Sequence, residues 1–234
     1  MNNPVAHVLE INHLRMRYPF SPCSILEDFN FKISYGDRIA LVGPSGCGKS
    51  TVAKVILKLL PKGSFCEGEV LINGQDLSLL SKPQLRKIRG EDIGFIFQDP
   101  MSRLNPLMKI GEHLIDTLMA HRPGENYRFY RQKSEELLKK VGIDPSRFNS
   151  YPHEFSGGMR QRLIIALAIA LNPLLIIADE PTTNLDTIIA NQIMSELSSL
   201  CNDIGTSLLL ISHDLSMAYK WCNKIAVLDC GQII

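Results

Sequence analysis

The sequence feature that most constrains the fold is a glycine-rich loop between a short apolar segment and a longer amphipathic one. Residues 38–42 are mostly apolar and include β-branched side chains, which predicts a strand, and residues 50–60 carry apolar side chains at helical spacing. A strand, a glycine-rich loop and a helix in this order are the context of a phosphate-binding loop. The loop matches the pattern G-x-x-x-x-G-K-[ST] and consists of Gly43, Pro44, Ser45, Gly46, Cys47, Gly48, Lys49, Ser50 and Thr51.

The chemistry of such a loop follows from its backbone. Glycines let the chain curl so that successive N–H groups point inward at phosphate oxygens, and the following helix adds unpaired N–H groups at its positive end. Lys49 is predicted to reach the β- and γ-phosphates of a nucleotide, and Ser50 is predicted to hold Mg²⁺. The alternative is a glycine-rich turn with a solvated lysine, which leaves the flanking strand and helix unexplained.

Composition limits the class of protein. The chain has 234 residues, of which 45% are hydrophobic, which is enough for one large domain or for one domain with an inserted subdomain. Its formal net charge is +1, so no overall field attracts it to nucleic acid or to an anionic membrane. The apolar run 163–178 is interrupted by Asn172 and Pro173, and residues 1–4 do not resemble a secretory signal. We therefore expect a cytosolic protein with reduced cysteines.

The first part of the chain is rich in predicted strands. Alternating or continuous apolar residues predict strands at 8–16, 25–33, 38–42 and 68–74, the last of which ends in an Asn73-Gly74 turn. Short turns between these strands favour an antiparallel sheet.

The later part of the chain contains both predicted strands and predicted helices. A buried strand at 93–97 brings Gln98 to its end, and three helices are predicted at 110–120, 128–141 and 159–171. Strands at 174–178, 207–212 and 225–228 then alternate with helices at 188–200 and 215–221, which predicts a parallel sheet with helices on its faces. The three helices in the middle therefore form an insertion that covers roughly residues 99–170.

Two adjacent carboxylates, Asp179 and Glu180, follow the continuously apolar segment 174–178. Ligands of α/β folds bind beyond the carboxyl ends of such strands. A nucleotide site needs a carboxylate that holds Mg²⁺ and a group that orients or deprotonates the attacking water. Asp179 fits the first role and Glu180 the second. The alternative is a solvated strand end that leads into a proline turn.

A second segment with a possible affinity for anions lies far from the loop in sequence. Ser156, Gly157, Gly158 and Met159 precede the long apolar helix at 159–171, and Ser156 is a good N-cap. A helix start with exposed N–H groups can receive an anion. Most Ser-Gly-Gly segments are only caps or loops. The interpretation as an anion site therefore depends on the other motifs in the chain.

Taken in order, these motifs resemble those of an ABC transporter nucleotide-binding subunit over nearly the whole chain. The fold this implies is α/β, a P-loop NTPase of the ABC ATPase type, in a single domain of residues 1–234. It has a parallel core sheet, an N-terminal antiparallel β subdomain and an inserted α-helical subdomain at 99–170. Segments 98–106 and 151–162 resemble the dipeptide, oligopeptide and nickel importer branch. The motifs that carry the resemblance are Gly43–Thr51, Gln98, Ser156–Met159, Leu175–Glu180, Asn184–Asp186 and His213.

The resemblance implies that two such domains pack head to tail around two ATP molecules. The loop of one domain would face Ser156–Met159 of the other, so both segments would bind the same nucleotide. Tyr18 would stack on adenine, although a packed core tyrosine is the alternative. Asn184–Asp186 would line the interface of the dimer and set the geometry of Glu180.

Three further roles are implied by the resemblance. Gln98 would contact Mg²⁺ and the attacking water and would couple the site to the helical insertion. His213 would hold the γ-phosphate and orient Glu180, while Lys49 and Gln98 would stabilise phosphate charge. The structural alternatives are a polar strand end for Gln98 and a structural histidine for His213. Two positions depart from the common family pattern, since Met159 stands where most members have Gln and Asn184 where Ala is commoner.

The function that the resemblance implies is that of the ATP-binding and ATP-hydrolysing subunit of an ABC importer for peptides or a related small solute. Its partners would be transmembrane permease subunits, a second ATPase subunit in a homo- or heterodimer and, indirectly, a solute-binding protein, but no nucleic acid. It would be peripheral, at the cytoplasmic face of the inner or plasma membrane. The alternatives are an importer for nickel, a metal chelate or another solute, and a soluble ABC-type ATPase that acts on DNA or ribosomes.

Overall fold

The computed structural model describes residues 6–100, 103–183 and 185–234, which form two β-sheets and their covering helices. The strands are β1 (His7–Arg17), β2 (Leu26–Ser34), β3 (Arg38–Val42), β4 (Phe65–Ile72), β5 (Gln75–Asp76), β6 (Ile93–Ile96), β7 (Leu175–Asp179), β8 (Ser207–Ile211), β9 (Lys224–Asp229) and β10 (Gln232–Ile233). The α-helices are α1 (Lys49–Ile56), α2 (Lys82–Glu91), α3 (Ile110–His121), α4 (Tyr127–Lys140), α5 (Gly157–Ile169), α6 (Thr187–Ile204) and α7 (Leu215–Trp221). Two 3-10 turns, Pro145–Asn149 and Pro152–Glu154, precede α5.

The core sheet has the order β10-β9-β3-β8-β7-β6 and is parallel except for β10, which runs antiparallel to β9. Leu41 of β3 and Asp179 of β7 both align with Ile211 of β8. The carboxyl ends of these three strands therefore lie in one row, and the loops that leave them are neighbours. This arrangement confirms the predicted parallel core.

The central strands are buried on both faces, which explains their continuous apolar sequences. In β3, Ile39 and Leu41 pack into a cluster with β1, β2 and α1, while Ala40 and Val42 pack into a second cluster with α3, α5 and α6. Successive side chains of a strand point to opposite faces, so β3 contributes to both hydrophobic cores.

The second sheet has the order β2-β1-β4-β5 and is antiparallel throughout, as predicted for the front of the chain. Besides Val8, the fully buried side chains of β1 are Leu9, Ile11, Leu14 and Met16, and their spacing changes from two to three between Ile11 and Leu14. The register of β1 shifts at that point against both neighbours. A β-bulge there keeps both residues on the buried face despite the odd spacing.

The three helices predicted in the middle of the chain are present as α3, α4 and α5, between β6 and β7 in sequence. They pack on one another, and the hydroxyl of Tyr130 in α4 donates a 2.6 Å hydrogen bond to the carbonyl oxygen of Arg122 at the end of α3. The boundaries 99–170 of the predicted subdomain stay a prediction.

Several elements differ from the prediction. Helix α2 was not predicted, because Ile88 is its one buried side chain and its apolar periodicity is weak. A local signal exists in its capping box, in which the backbone N–H of Ser81 donates to the Gln84 side chain at 2.9 Å. Helix α1 ends at Ile56 rather than at residue 60, and Lys58 just beyond it has a φ of +50°. Strands β5 and β10 were also missed, because each has only two residues.

Within the described ranges, no helix combines the length and the apolar character needed to cross a membrane. The 18-residue helix α6 is amphipathic, with Ile193 and Leu197 fully buried on one face. Its apolar residues serve the core, as expected for a helix that packs on a sheet.

Helix α5 approaches β6 closely at Gly94, where an added Cβ would overlap the carbonyl oxygen of Ala168. We expect Gly94→Ala to lower the free energy of unfolding by about 3 kcal/mol, since the clash is with backbone and not with a side chain that can move. Gly124→Ala is the control, because its added Cβ would meet nothing within 4 Å and only backbone strain at φ +103° would cost about 1 kcal/mol. Urea unfolding of both variants measures the difference, and equal losses would contradict the close packing of α5 on β6.

Candidate functional site

The glycine-rich loop joins β3 to α1, and its conformation requires a glycine at Gly48, where the helix begins. Gly48 caps α1 with a φ of +108°, and an added Cβ there would lie 2.9 Å from the Ile25 side chain. Only glycine fits both requirements. The loop therefore leads directly into the helix, and the N–H groups of the first turn are free of an N-cap side chain.

Lys49 is buried inside this loop, with 8% of its surface exposed. Its Nζ donates hydrogen bonds of 2.8 Å to the carbonyl oxygens of Gly43 and Pro44, and among the described residues no carboxylate lies within ion-pair distance of it. The Sγ atom of Cys47 lies 4.0 Å from the same nitrogen, so the partners of this buried ammonium are neutral groups that leave its charge without an opposite charge at ion-pair distance. The loop therefore presents a positive charge that suits an anion.

Ser50 and Asp179 are in contact although they lie 129 positions apart in the sequence. The Ser50 hydroxyl in the first turn of α1 donates a 3.0 Å hydrogen bond to Oδ1 of Asp179 at the end of β7. Burial raises the pKa of the Asp179 carboxyl, and the Ser50 hydrogen bond offsets only part of this effect. A hydroxyl beside a partly buried carboxylate supplies the oxygen ligands that Mg²⁺ prefers, so the predicted pair fits this ion.

Glu180 and His213 form a second pair on the same edge of the sheet. Oε1 of Glu180 accepts a 3.0 Å hydrogen bond from the backbone N–H of His213 and lies 2.7 Å from Nδ1 of its ring. The backbone of Glu180 has a φ of +49°, and its N–H donates to the carbonyl oxygen of Ile211 at 2.9 Å. A non-glycine residue in this conformation is strained and persists because its surroundings hold it. The Glu180 side chain therefore has a fixed direction.

Gln98 faces the same space as Ser50 and Asp179. The three line a cavity of about 610 Å³ that β6, β7 and α1 enclose. Two cationic residues that the sequence analysis did not single out, Lys54 and Arg103, also line it. Arg103 stacks its guanidinium 4.2 Å from the centre of the Phe97 ring, a contact that no local spacing predicts.

Tyr18 follows β1 and lies beside the first turn of α1, where its hydroxyl is 3.1 Å from the side-chain oxygen of Thr51. Its ring is half-buried and also borders a cavity of about 340 Å³ that Phe20 and Phe65 help to line. The ring is therefore neither fully packed in the core nor free, and a flat ligand has room beside it. The proposed stacking on adenine stays a prediction.

The segment Ser156–Met159 is apart from the loop. Ser156 caps α5, since its Oγ accepts a 3.3 Å hydrogen bond from the N–H of Met159, and Ser156 and Gly157 are exposed. Among the described residues, no hydrogen bond joins this segment to Gly43–Thr51. Gly158 packs against α6 so closely that an added Cβ would lie 2.9 Å from the Ile189 side chain. One chain thus presents two anion-receptive helix starts in different places.

The predicted interface segment 184–186 is only partly described, because Asn184 lies outside the described residues. Asp186 is the N-cap of α6, where its Oδ1 accepts hydrogen bonds of 3.1 and 3.0 Å from the N–H groups of Ile188 and Ile189. Asp186 therefore has a structural role in addition to the predicted one.

The chain is similar to known proteins over nearly its whole length. The family profile described as ABC transporter matches residues 26–183. The oligopeptide transport ATP-binding protein OppD of Bacillus subtilis is 42% identical, over 98% of this chain and 66% of its own length. The dipeptide transport ATP-binding protein DppD of Lactococcus lactis is 38% identical, over 97% of this chain and 66% of its own length. The chain thus spans just under two thirds of the length of these relatives.

A solved structure is similar over nearly the whole chain. It is a dimer of an ATP-binding cassette in a post-hydrolysis state, bound to ADP and Pi. The two chains share 31% sequence identity and a TM-score of 0.83, and each is covered to 96%. Its cassette fold is that of the present chain, which confirms the predicted fold class.

The raised pKa of Asp179 predicts a stability effect with a definite sign. A carboxyl whose pKa is higher in the folded state penalises that state once it ionises, so the penalty is absent at low pH and grows as the pH rises through the folded pKa. We expect Asp179→Asn to raise the melting temperature of the metal-free protein at pH 8 and to change it little at pH 4, since the Asn oxygen still accepts from Ser50.

Asp214→Asn is the control with the opposite sign. Hydrogen bonds from Ser216 and from the N–H of Met217 lower the pKa of Asp214, which caps α7, so its ionised form stabilises the fold at neutral pH. That variant should therefore melt at a lower temperature at pH 8. Calorimetric scans across this pH range in the presence of a chelator measure both effects, and a destabilised Asp179→Asn protein at pH 8 would contradict the burial cost.

Proposed function

Because this chain belongs to the ABC transporter family, we propose that it binds ATP together with Mg²⁺ and hydrolyses it at the carboxyl edge of the core sheet. The observation that carries the proposal is the Glu180–His213 pair, held at 2.7 Å beside the loop that buries Lys49. A carboxylate with a fixed direction next to a phosphate-receptive loop is the arrangement that hydrolysis of a triphosphate needs.

The loop residues Gly43–Thr51 bind the phosphates through their backbone N–H groups. Lys49 exchanges its two carbonyl partners for phosphate oxygens, which removes the cost of a buried and uncompensated ammonium. Ser50, Asp179 and Gln98 line one cavity, and they would hold Mg²⁺ there. When bound, Mg²⁺ neutralises charge on the phosphate oxygens. Tyr18 supplies the aromatic face for the base.

Glu180 orients the attacking water and accepts its proton. Its second carboxylate oxygen is available for this task, because Oε1 is the atom that the N–H and the ring of His213 hold. With 67% of its side chain exposed, His213 extends from the edge of the sheet and can contact the γ-phosphate. The pair thus divides the work, since Glu180 acts on the water and His213 holds both Glu180 and the phosphate.

The exposed start of α5 completes the site in a second ATPase subunit, either identical or different. Ser156 and Gly157 offer N–H groups to solvent and are not joined to the loop of their own chain. A head-to-tail dimer would bring each segment to the nucleotide on the other chain. The dimeric state of the similar cassette supports this arrangement.

The cargo of the relatives suggests the biological role. Their names specify oligopeptide and dipeptide transport, so we infer that ATP turnover here energises uptake of peptides through a membrane permease. An apolar groove of about 270 Å³ beside Phe97 and Leu167 adjoins the Gln98 cavity and offers the permease a contact. The subunit would then be peripheral, at the cytoplasmic face of the membrane, and would serve a solute-binding protein only indirectly.

Glu180→Gln tests the hydrolytic role. The amide oxygen still accepts from the N–H of His213, but the amide cannot take a proton from water, so turnover should fall about a hundredfold or more while ATP binding persists. We expect the variant to dimerise more stably with ATP. Glu67→Gln, an exposed position on β4, is the matched control and should turn over ATP normally. Phosphate release and gel filtration with ATP are the measurements, and near-normal turnover of Glu180→Gln would falsify the assignment.

The transport role is tested separately, in the membrane. The protein purified from gently solubilised membranes of its source should bring with it a permease with several membrane spans and a second ATPase subunit, identical or different. Mass spectrometry identifies these partners. Recovery only from the soluble fraction, together with nucleic acid or ribosomes, would overturn the transport role and leave the ATPase role standing.

A further inference from the structure

Two shallow cavities lie on either side of the last turn of α3. One lies between α2 and α3 and has a volume of about 470 Å³. The other lies between α3 and α4 and has a volume of about 130 Å³. His121 lines the first cavity, and Leu118 and Arg122 line the second. These residues belong to one helical turn, so the two cavities are neighbours on the surface.

Cationic side chains dominate this surface. Helix α2 contributes Lys82, Arg86 and Lys87 within about one and a half turns, and α4 contributes Lys133 and Lys140, which are two turns apart on one face. With Arg122 between them, six cations line the two cavities against two carboxylates, Glu91 and Glu136, which leaves an excess of four positive charges. We call the six cations, Lys82, Arg86, Lys87, Arg122, Lys133 and Lys140, the basic strip.

This local excess contrasts with the chain as a whole, whose formal net charge is +1. The two carboxylates are already engaged, since Glu136 lies 2.8 Å from Lys133 and Glu91 lies 3.8 Å from Lys87. Within the described part of the chain, the charged groups of the other four cations have no carboxylate within ion-pair distance. These four cations therefore have no acidic partner at ion-pair distance in the described ranges, which leaves their charge available to an external anion.

Apolar side chains interrupt the strip where α3 ends. Met119 at this end of α3 is 49% exposed, and the exposed Ala120 beside it lines the first cavity. A surface that combines lysine and arginine with exposed apolar side chains suits the interface of a bilayer, where phosphates lie next to acyl chains.

The position of the strip favours the same partner. Gly90 lines the apolar groove that we assign to the permease, and its neighbour Glu91 lines the first cavity of the strip. His121 packs directly on Gly90, so close that an added Cβ there would lie 2.8 Å from Nε2 of the ring. The strip therefore borders the groove. A permease seated in the groove places the bilayer on that side of the protein.

Nucleic acid is the other polyanion that such a surface could attract. Proteins that bind single strands combine cations with exposed aromatic platforms for the bases. The aromatic residue that lines these cavities, Phe129, is half-buried and packs edge-on against Tyr130. The strip thus offers charge without a stacking surface, which favours phosphate headgroups over nucleotides.

We propose that the basic strip is a docking surface for the anionic headgroups of the membrane in which the permease lies. This inference rests on the proposed function, because that function brings the protein to a membrane. The strip adds a direct attachment to lipid beside the contact with the permease. Each lysine or arginine close to an anionic surface strengthens binding about fivefold, so a few charges suffice for a measurable effect.

Sedimentation with lipid vesicles tests the proposal on the purified protein without the permease. We expect it to bind vesicles of mixed phosphatidylglycerol and phosphatidylcholine, to ignore vesicles of phosphatidylcholine alone, and to be released as the salt concentration rises. The double variant Arg86→Gln and Arg122→Gln should bind about thirtyfold more weakly. Lys32→Gln with Arg15→Gln removes the same charge from the antiparallel sheet and should leave binding nearly unchanged.

Several outcomes would overturn the proposal. They are absence of binding to anionic vesicles, equal losses in the two double variants, and displacement of the vesicles by inorganic phosphate at the ionic strength of the salt control. Preferential binding of a single-stranded oligonucleotide through the same residues would assign the strip to nucleic acid. ATP binding and turnover of all variants are measured in parallel, so that a failure of the strip is distinguished from a failure of the proposed ATPase.

Discussion

The alignment of three parallel strands at one edge is the constraint on which the site depends. Ile211 of β8 is level with Leu41 of β3 and with Asp179 of β7. Hydrogen bonds extend this row past the strand ends, since Ser212 N–H donates to Leu41 and Glu180 N–H donates to Ile211. The phosphate-receptive loop, the two carboxylates and His213 therefore meet, although more than a hundred residues separate the loop from the carboxylates. A shift of one residue in any of the three strands would part them.

The same edge concentrates charge that the fold alone does not balance. Lys49 is buried against carbonyl oxygens, and burial raises the pKa of Asp179. Both conditions cost free energy, and an anion at Lys49 and a cation at Asp179 relieve them. Because such ligands bind the folded state, their binding stabilises the fold. A residue that lowers the stability of the ligand-free protein can thus be kept for its role in the site. The strained backbone of Glu180 belongs to the same pattern.

The basic strip is a local excess of positive charge that the net charge of the whole chain does not show. The charge of the whole chain, +1, suggests a neutral protein, yet α2, α3 and α4 gather an excess of four positive charges. The carboxylates that balance this excess lie elsewhere in the chain, which has 24 acidic against 25 basic residues. Sequence patterning on separate helices cannot reveal this excess, because it arises only where the ends of the helices meet.

The sequence by itself determined most of the local elements, and it predicted which residues have chemical roles. Strand β3 and helix α7 have the predicted bounds. The loop and the carboxylates were predicted from strand ends and turns, and His213 was predicted from the resemblance to a family. Helix α2 was missed because it buries only Ile88, and its local signal is the capping box at Ser81 rather than an apolar stripe. The resemblance to a family implied that His213 orients Glu180 and that Ser156 faces the loop of another subunit, and the tertiary structure supplied the contacts of Ser50 with Asp179 and of Glu180 with His213. The physical reason is that periodicity and propensity act over a few residues, whereas pairing of strands and packing of helices join residues that the chain keeps far apart.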